Sequence, residues 1–583
     1  MIRLKLLVVL LFAAALLIPA TYNRTVHSQS QSPSTYPDTT LSADDSTALA
    51  QTTDQANKVS STDTDVNNSK IDWEGVSPDS TDTFSYDPDV LPSGAIPPTC
   101  DPRIDCVGNP PAEEDDMFCR SQPFTEAPAA FDNKTNGLVD QGDPIPPGAT
   151  PTPGTFEADK QIFSKVDEIK PDGLGPVYNA QSCRECHQNP VTGAISQIME
   201  LRAGHLGKVR DEFGNVVIGF IDAPGGSLID LRATNSKAQE RVPPLFTAGI
   251  IPKKPGVEQP PITHEEPVRT LRTSLNLLGD GFVEAVANGT LEGIRQNQKL
   301  LTNGQISGLT PRVPVLEANI DSNPDCADLS KRCVRRIGRF GWKNQQPSLL
   351  SFSGDAYLNE IGITNRLVLN ENTSLGRFVG FGTIFDPVPD NQKCDDGHNC
   401  GEDPEFDIGT FTEFMRATKA PPPDPDIQND PRFANDIQQG KRLFVHMPTF
   451  LDGPPERQFN SCSQCHIPVM LTARSCTIIN GGQFTVPRAL GDKIIRPFSD
   501  FILHDVGTGD GIVQNAGQQS RLKVRTPPLW GVRTRAQLMH DGRALTFNEA
   551  ILAHAGEAND VINLFRHLSD QQKKQIIMYL ESL

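Results

Sequence analysis

Two five-residue segments carry the clearest chemistry in this chain. Cys183-Arg184-Glu185-Cys186-His187 and Cys462-Ser463-Gln464-Cys465-His466 share the pattern CxxCH. Two thiols at this spacing project from one turn of helix and can form thioethers with the two vinyl groups of a haem, and the adjoining imidazole then lies under the ring as the proximal iron ligand. The pattern therefore points to two covalently attached haem c groups, anchored at Cys183, Cys186, Cys462 and Cys465, with His187 and His466 on the irons. A zinc ribbon or a redox-active dithiol would also use CxxC, but neither gives a reason for a histidine immediately after both pairs.

Twelve cysteines occur in all. The eight outside the motifs are even in number, which suits disulfides, and Cys326–Cys333 and Cys394–Cys400 are the favoured local loops. That reading needs an oxidising compartment. The N-terminus supplies one: Arg3 and Lys5, an apolar run from Leu6 to Ile18, then Ala20 and Thr21 have the layout of a secretory signal peptide over residues 1–21. A run of about 13 apolar residues is short of the roughly 20 that a spanning helix needs. The expected location is periplasmic or secreted, with membrane contact only if the leader stays uncleaved.

The elements that position the motifs follow from patterning. Residues 22–70 are Ser, Thr, Asp, Asn and Gln with few large apolar side chains, and are expected to form a disordered tether. Residues 71–154 are an irregular segment rich in Pro and Gly with Cys100, Cys106 and Cys119. The run KAPPPDPDIQNDP from Lys419 to Pro431 breaks any helix and divides the remainder into halves at 155–423 and 432–583. Ile408, Phe411 and Met415 before it, and Phe433, Ile437, Gly440 and Phe444 after it, recur at helical spacing. Ser569 and Gln572 form a capping-box pair ahead of a terminal helix with Ile576, Ile577, Leu580 and Leu583 on its apolar face.

With these motifs in place, the chain resembles the di-haem oxidoreductases related to bacterial di-haem cytochrome c peroxidases and MauG-type enzymes. The stretches that carry the resemblance are GLGPVYNAQSCRECH (173–187), LLGDGFVEAV (277–286), GRFGWKNQQPSL (338–349), FNSCSQCHIP (459–468), and RTPPLWGVRTRAQLMHDGRA running into EAILAHAGEA (525–558). It implies a mainly α fold of two cytochrome c-like haem domains with long loops. The C-terminal haem would be the site of electron entry and the N-terminal haem the place where peroxide meets iron. The implied donor is a small redox protein such as a cytochrome c, and the implied oxidant is hydrogen peroxide or a related small molecule.

The resemblance also assigns single residues. His554 stands 14 residues after His540, where the family's peroxidases carry a methionine, and would be the sixth ligand of the C-terminal haem. Trp342 aligns with the tryptophan between the two haems. Arg525, or one of the basic run from Lys331 to Lys343, would pair with propionates. The family's catalytic glutamate falls on Gly362 here, which leaves Glu360 and Glu284 as the candidate carboxylates. His205, 18 residues after His187, is a candidate displaceable ligand. The rival readings are a non-catalytic electron carrier and a MauG-like or oxygenase chemistry on the same scaffold. The formal charge of −19 argues against a nucleic-acid partner and could steer a basic cytochrome.

Overall fold

A computed structural model describes residues 123–145, 152–211, 213–242, 266–320, 326, 332–447 and 461–583. The expected leader, the tether, and Cys100, Cys106 and Cys119 lie outside the described residues. Helix starts are set by side-chain caps. Thr155 accepts from Ala158 N at the head of Phe156–Phe163, and Ser182 from Arg184 N at the head of the one-turn helix Cys183–Cys186. Ser348 caps Leu349–Ala356. The capping box at Ser569 and Gln572 is present at the head of Asp570–Glu581.

The fold is not mainly α. Of the described residues 29% are helical and 18% lie in strands, with twelve α-helices and seven small sheets. The largest sheet is built on Met199–Arg210, which pairs antiparallel with Val216–Asp222, Leu228–Ile229 and Val268–Thr273. Two separate cytochrome-like domains are also not what the core displays. One buried cluster takes Phe156, Phe282 and Phe414 from the first half together with Met470, Ile495 and Phe501 from the second. The Pro-rich run is part of this joint: Ala420 is buried in the same cluster, and it pairs with Ala129 of the N-terminal segment. That segment also reaches the second half, where Thr125 pairs with Lys493.

A second cluster, built on Phe444, Phe565, Ile576 and Tyr579, belongs to the C-terminal residues alone. Its helices Ala434–Val445 and Asp570–Glu581 approach so closely that a Cβ at Gly440 would lie 2.0 Å from the Gln575 carbonyl oxygen. Glycine is required there because backbone, not a flexible side chain, occupies the space. Cys326–Cys333 and Cys394–Cys400 are both disulfide-bonded. No helix among the described residues is long and apolar enough to cross a membrane.

Candidate functional site

Each CxxCH segment opens onto its own cavity. Cys183, Cys186 and His187 line one of about 270 Å³, and Cys462, Cys465 and His466 line one of about 400 Å³. The two are backed alike. Phe163, from the helix before the first motif, sits 6.4 Å from the His187 ring, and Phe444, from the helix before the second, sits 6.3 Å from the His466 ring.

Hydrogen bonding fixes the imidazoles in one tautomer. His187 Nδ1–H donates to the Ala194 carbonyl at 3.1 Å, His466 Nδ1–H to Phe498 at 3.0 Å, and His554 Nδ1–H to Ala550 at 2.7 Å. The Nε2 lone pair of each is left as a ligand for iron, the arrangement that orients metal-bound histidines. Burial lowers His187 and His466 to about 4, with His554 adding to the effect on His466. All three rings are therefore neutral and able to ligate. The four motif thiols are in no disulfide, and burial raises all of them, Cys186 and Cys462 to about 12. A redox-active cysteine needs the opposite shift.

The C-terminal cavity also contains buried polar nitrogens without a partner. Arg525 Nε, Arg535 Nη2 and both ring nitrogens of His540 have no hydrogen-bond partner, and all three residues line the cavity. Burial brings Arg525 and Arg535 down to about 10. One guanidinium nitrogen of each arginine left without a partner in this cavity suits an anion. The two carboxylates of a haem fit that requirement, so the donor set and the cysteine–histidine motif agree.

The N-terminal cavity differs in its walls. His187 is its one imidazole among the described residues, and a carboxyl pair, Glu200 and Glu360, faces it with Arg202 and Arg272. Glu200 lies opposite Arg272 in the register of Met199–Arg210 with Val268–Thr273, and its oxygens take both Nε and Nη2 of Arg202, at 2.8 and 3.2 Å. Burial works against its charge, yet Arg202 and Arg272 hold it below the ordinary carboxyl range. Burial and then the Glu200 charge push Glu360 well above that range, and the two are hydrogen-bonded. Of the pair, Glu360 is therefore the carboxyl that holds a proton more tightly and Glu200 the one that favours its charged form.

Glu360 reaches the wall because the helix widens. Tyr357–Ile361 is a π-turn, an insertion that shifts the register of side chains. Gly362 ends it at φ +82°, and a Cβ there would lie 2.7 Å from both the Gly175 Cα and the Val177 carbonyl oxygen. Position 362 therefore has no room for a glutamate. Trp342 lines both cavities. It is locked by its Nε1–H bond to the Thr273 carbonyl at 2.8 Å and by edge contact with the His540 ring.

Two candidates are corrected. Glu284 lines neither cavity; it is fully buried and its carboxylate is paired with Arg416 at 2.7 Å. His205 lies further along the strand from Glu200 and is paired with Glu266 at 2.9 Å. Five residues of extended chain carry it about 17 Å from Glu200. The basic run contributes no cavity-lining arginine: Arg336 and Arg339 are buried against the carbonyls of Glu284 and Val286 and the Asn288 side chain. Sequence reasoning overlooked Glu200, Arg202, Arg272 and Arg535, and used His540 only as a landmark. Glu200 and Arg202, two apart on one strand, offered a local signal, whereas Arg272 comes from a separate strand.

Loss of the His554 imidazole is expected to convert a low-spin C-terminal haem partly to high spin. Visible and EPR spectra of His554→Ala test this, and an unchanged low-spin signal would remove His554 as a ligand.

Residues 456–583 match the family model described as "Di-haem oxidoreductase, putative peroxidase". No curated protein matches the chain. Among solved structures, a Kuenenia stuttgartiensis hydrazine synthase pressurised with xenon is similar at 17% identity and a TM-score of 0.20. That match covers 35% of this chain and spans 59% of the other. Its TM-score is too low to bear on the fold. The second motif, His554, Arg525 and the HDG turn all lie inside the residues that are similar to the di-haem oxidoreductase model, and the first motif lies outside them.

Proposed function

We propose that this protein is an exported di-haem c-type oxidoreductase that reduces hydrogen peroxide, or a related small oxidant, at the N-terminal cavity with electrons received at the C-terminal one. Thioethers at Cys183, Cys186, Cys462 and Cys465 would hold the two haems, with His187 on one iron and His466 and His554 on the other. The haems supply one-electron redox chemistry, whose outcome is set by pocket polarity, donors and access. The observation that carries the reading is the asymmetry of the walls. One cavity is lined by four imidazoles, two of which, His466 and His554, are in electrostatic contact, and the other has one imidazole among the described residues and a hydrogen-bonded carboxyl pair.

Cleavage of a peroxide O–O bond requires a proton on the departing oxygen. Glu360 would give that proton from its carboxyl to the departing oxygen, and Glu200, favoured in its ionised form by Arg202 and Arg272, is placed to accept the proton that the bound peroxide gives up and pass it on to Glu360. Trp342 borders both cavities and is the aromatic group placed to couple them. Two disulfides support an oxidising compartment, and the acidic charge suits a basic redox donor such as a cytochrome c.

Stopped-flow mixing with hydrogen peroxide tests the proposal. The expected result is a spectral change confined to one haem, followed by oxidation of reduced cytochrome c. If neither haem responds and EPR of the resting protein displays two low-spin ferric signals, the protein is an electron carrier instead.

A further inference from the structure

Away from both cavities, four carboxyl groups meet with no positive charge among them. Glu371, Asp390 and Glu402 each present an oxygen within 4.8 Å of the others. Asp386 is close enough to Asp390 for a carboxyl–carboxyl hydrogen bond. Asp386 and Glu402 are each only 4% exposed. Both oxygens of Glu371, Asp386 Oδ2, Asp390 Oδ1 and Glu402 Oε1 are buried and receive no hydrogen bond. The charges that act most on Glu371 are those of Glu402, Asp386 and Asp390, all negative.

The fold builds this arrangement deliberately. The Cys394–Cys400 disulfide closes the loop between Asp390 and Glu402, and the paired bonds Gln392 N–H to Gly401 O and Cys400 N–H to Gln392 O bring its two ends together. Glu402 Oε2 is committed to the Thr364 N–H and hydroxyl, both at 3.1 Å, which leaves Oε1 unsatisfied. The aliphatic stem of Glu371 is seated against Gly380, where a Cβ would lie 2.5 Å from its Cγ.

Buried acceptors in this number need either protons or a cation. Without a cation, burial and mutual repulsion push Glu371 up to about 10 and Glu402 to about 8, while Asp390 rises to about 6. Protons alone leave most of the orphaned lone pairs unbound, because each supplies a single donor. A hard divalent cation satisfies several oxygens at once. The span of the oxygens decides which: Ca2+–O bonds of about 2.3–2.6 Å give a coordination sphere roughly 4.6–5.2 Å across, whereas that of Mg2+ is about 4.0–4.2 Å and strictly octahedral. An irregular set of carboxylates spread up to 4.8 Å apart suits the larger and more tolerant ion.

We propose that Glu371, Asp386, Asp390 and Glu402 form a calcium site that braces the loop 371–402 against Thr364, four residues beyond Glu360. The assignment does not depend on the peroxidase reading. It is tested on chelator-treated holoprotein by calorimetric titration with CaCl2, with thermal unfolding recorded in parallel. The expected result is that Glu371→Gln and Asp390→Asn each bind one molar equivalent of Ca2+ fewer than the wild type, with visible haem spectra as the check on folding. Ca2+ should raise the wild-type Tm, and equal Mg2+ should not replace it. Asp390 is the more exposed of the two, so its variant remains informative if Glu371→Gln fails to fold. Equal Ca2+ stoichiometry in wild type and variants overturns the site. So does a wild-type Tm that ignores Ca2+ and rises steadily as pH falls from about 10 to about 6, because protons then fill the cluster.

Discussion

Replacing Glu360 by Gln should lower the rate of peroxide turnover about 10²–10⁴-fold, the range a positioned general acid or base contributes, while the visible spectra of both haems stay at wild-type positions. Gln fills the same volume and can still hydrogen-bond Glu200, so the wall of the cavity is preserved, but it has no transferable proton. The neighbouring residue gives a second arm. Glu200 accepts from Arg202 and faces Arg272 in register. Glu200→Gln removes the charge that helps keep Glu360 protonated, so its turnover should fall too, with a pH profile displaced to lower pH as Glu360 regains a more ordinary carboxyl range. A Glu360→Gln rate within about twofold of wild type would show that another group, or water, handles the proton.

The second large effect is on stability. Glu284→Gln is expected to cost about 3–5 kcal/mol, the usual loss when one partner of a buried ion pair is removed, as read by denaturant unfolding of the holoprotein. Glu284 is 0% exposed and receives four hydrogen bonds, two from Arg416 and one each from Leu349 N and Asn480 Nδ2. Arg416 in turn lies over the Phe484 ring at 3.7 Å. Burial alone would raise the Glu284 carboxyl, but Arg416 holds it below the ordinary value. A depressed folded-state pKa contributes stability at pH above the unfolded value, about 4.3, and that contribution is lost as pH falls through the lower folded value. The wild type should therefore lose its advantage over the variant in acid. Haem spectra and peroxide kinetics of folded Glu284→Gln should match wild type, and a selective loss of turnover would return Glu284 to the reaction.

What the sequence disclosed and what it hid divide along a physical line. The CxxCH motifs, the Ser569–Gln572 capping box and the two local disulfides depend on residues a few positions apart, so spacing alone reveals them. His554 and Trp342 were placed by resemblance, and both lie in cavity walls. The strand Met199–Arg210 was missed because MELRAGHLGKVR has no clean alternation: Arg202, Ala203 and Gly204 are buried in succession. Glu200 and Arg272 meet across 72 residues through strand register, which no local pattern encodes. His205 was misplaced for the related reason that counting residues says nothing of whether the chain coils or extends. Glu360 was two positions from the expected one, and the π-turn that makes up the difference has no sequence signature of its own.

The core shared by both halves has a consequence for how the chain reaches its native state. Phe156 and Phe282 are synthesised early, yet the cluster that buries them is finished by Ile495, Phe501 and Trp530, and Thr125 waits 368 residues for Lys493. Contacts so distant along the chain fold slowly, because the loop entropy is lost before the contacts form. The first CxxCH segment thus emerges long before its cavity is walled in. Cofactor attachment there would meet an open, solvent-accessible motif, and wall residues as far along the chain as Met415 would close over it later, so the order of synthesis leaves a window for ligation that the finished molecule no longer has.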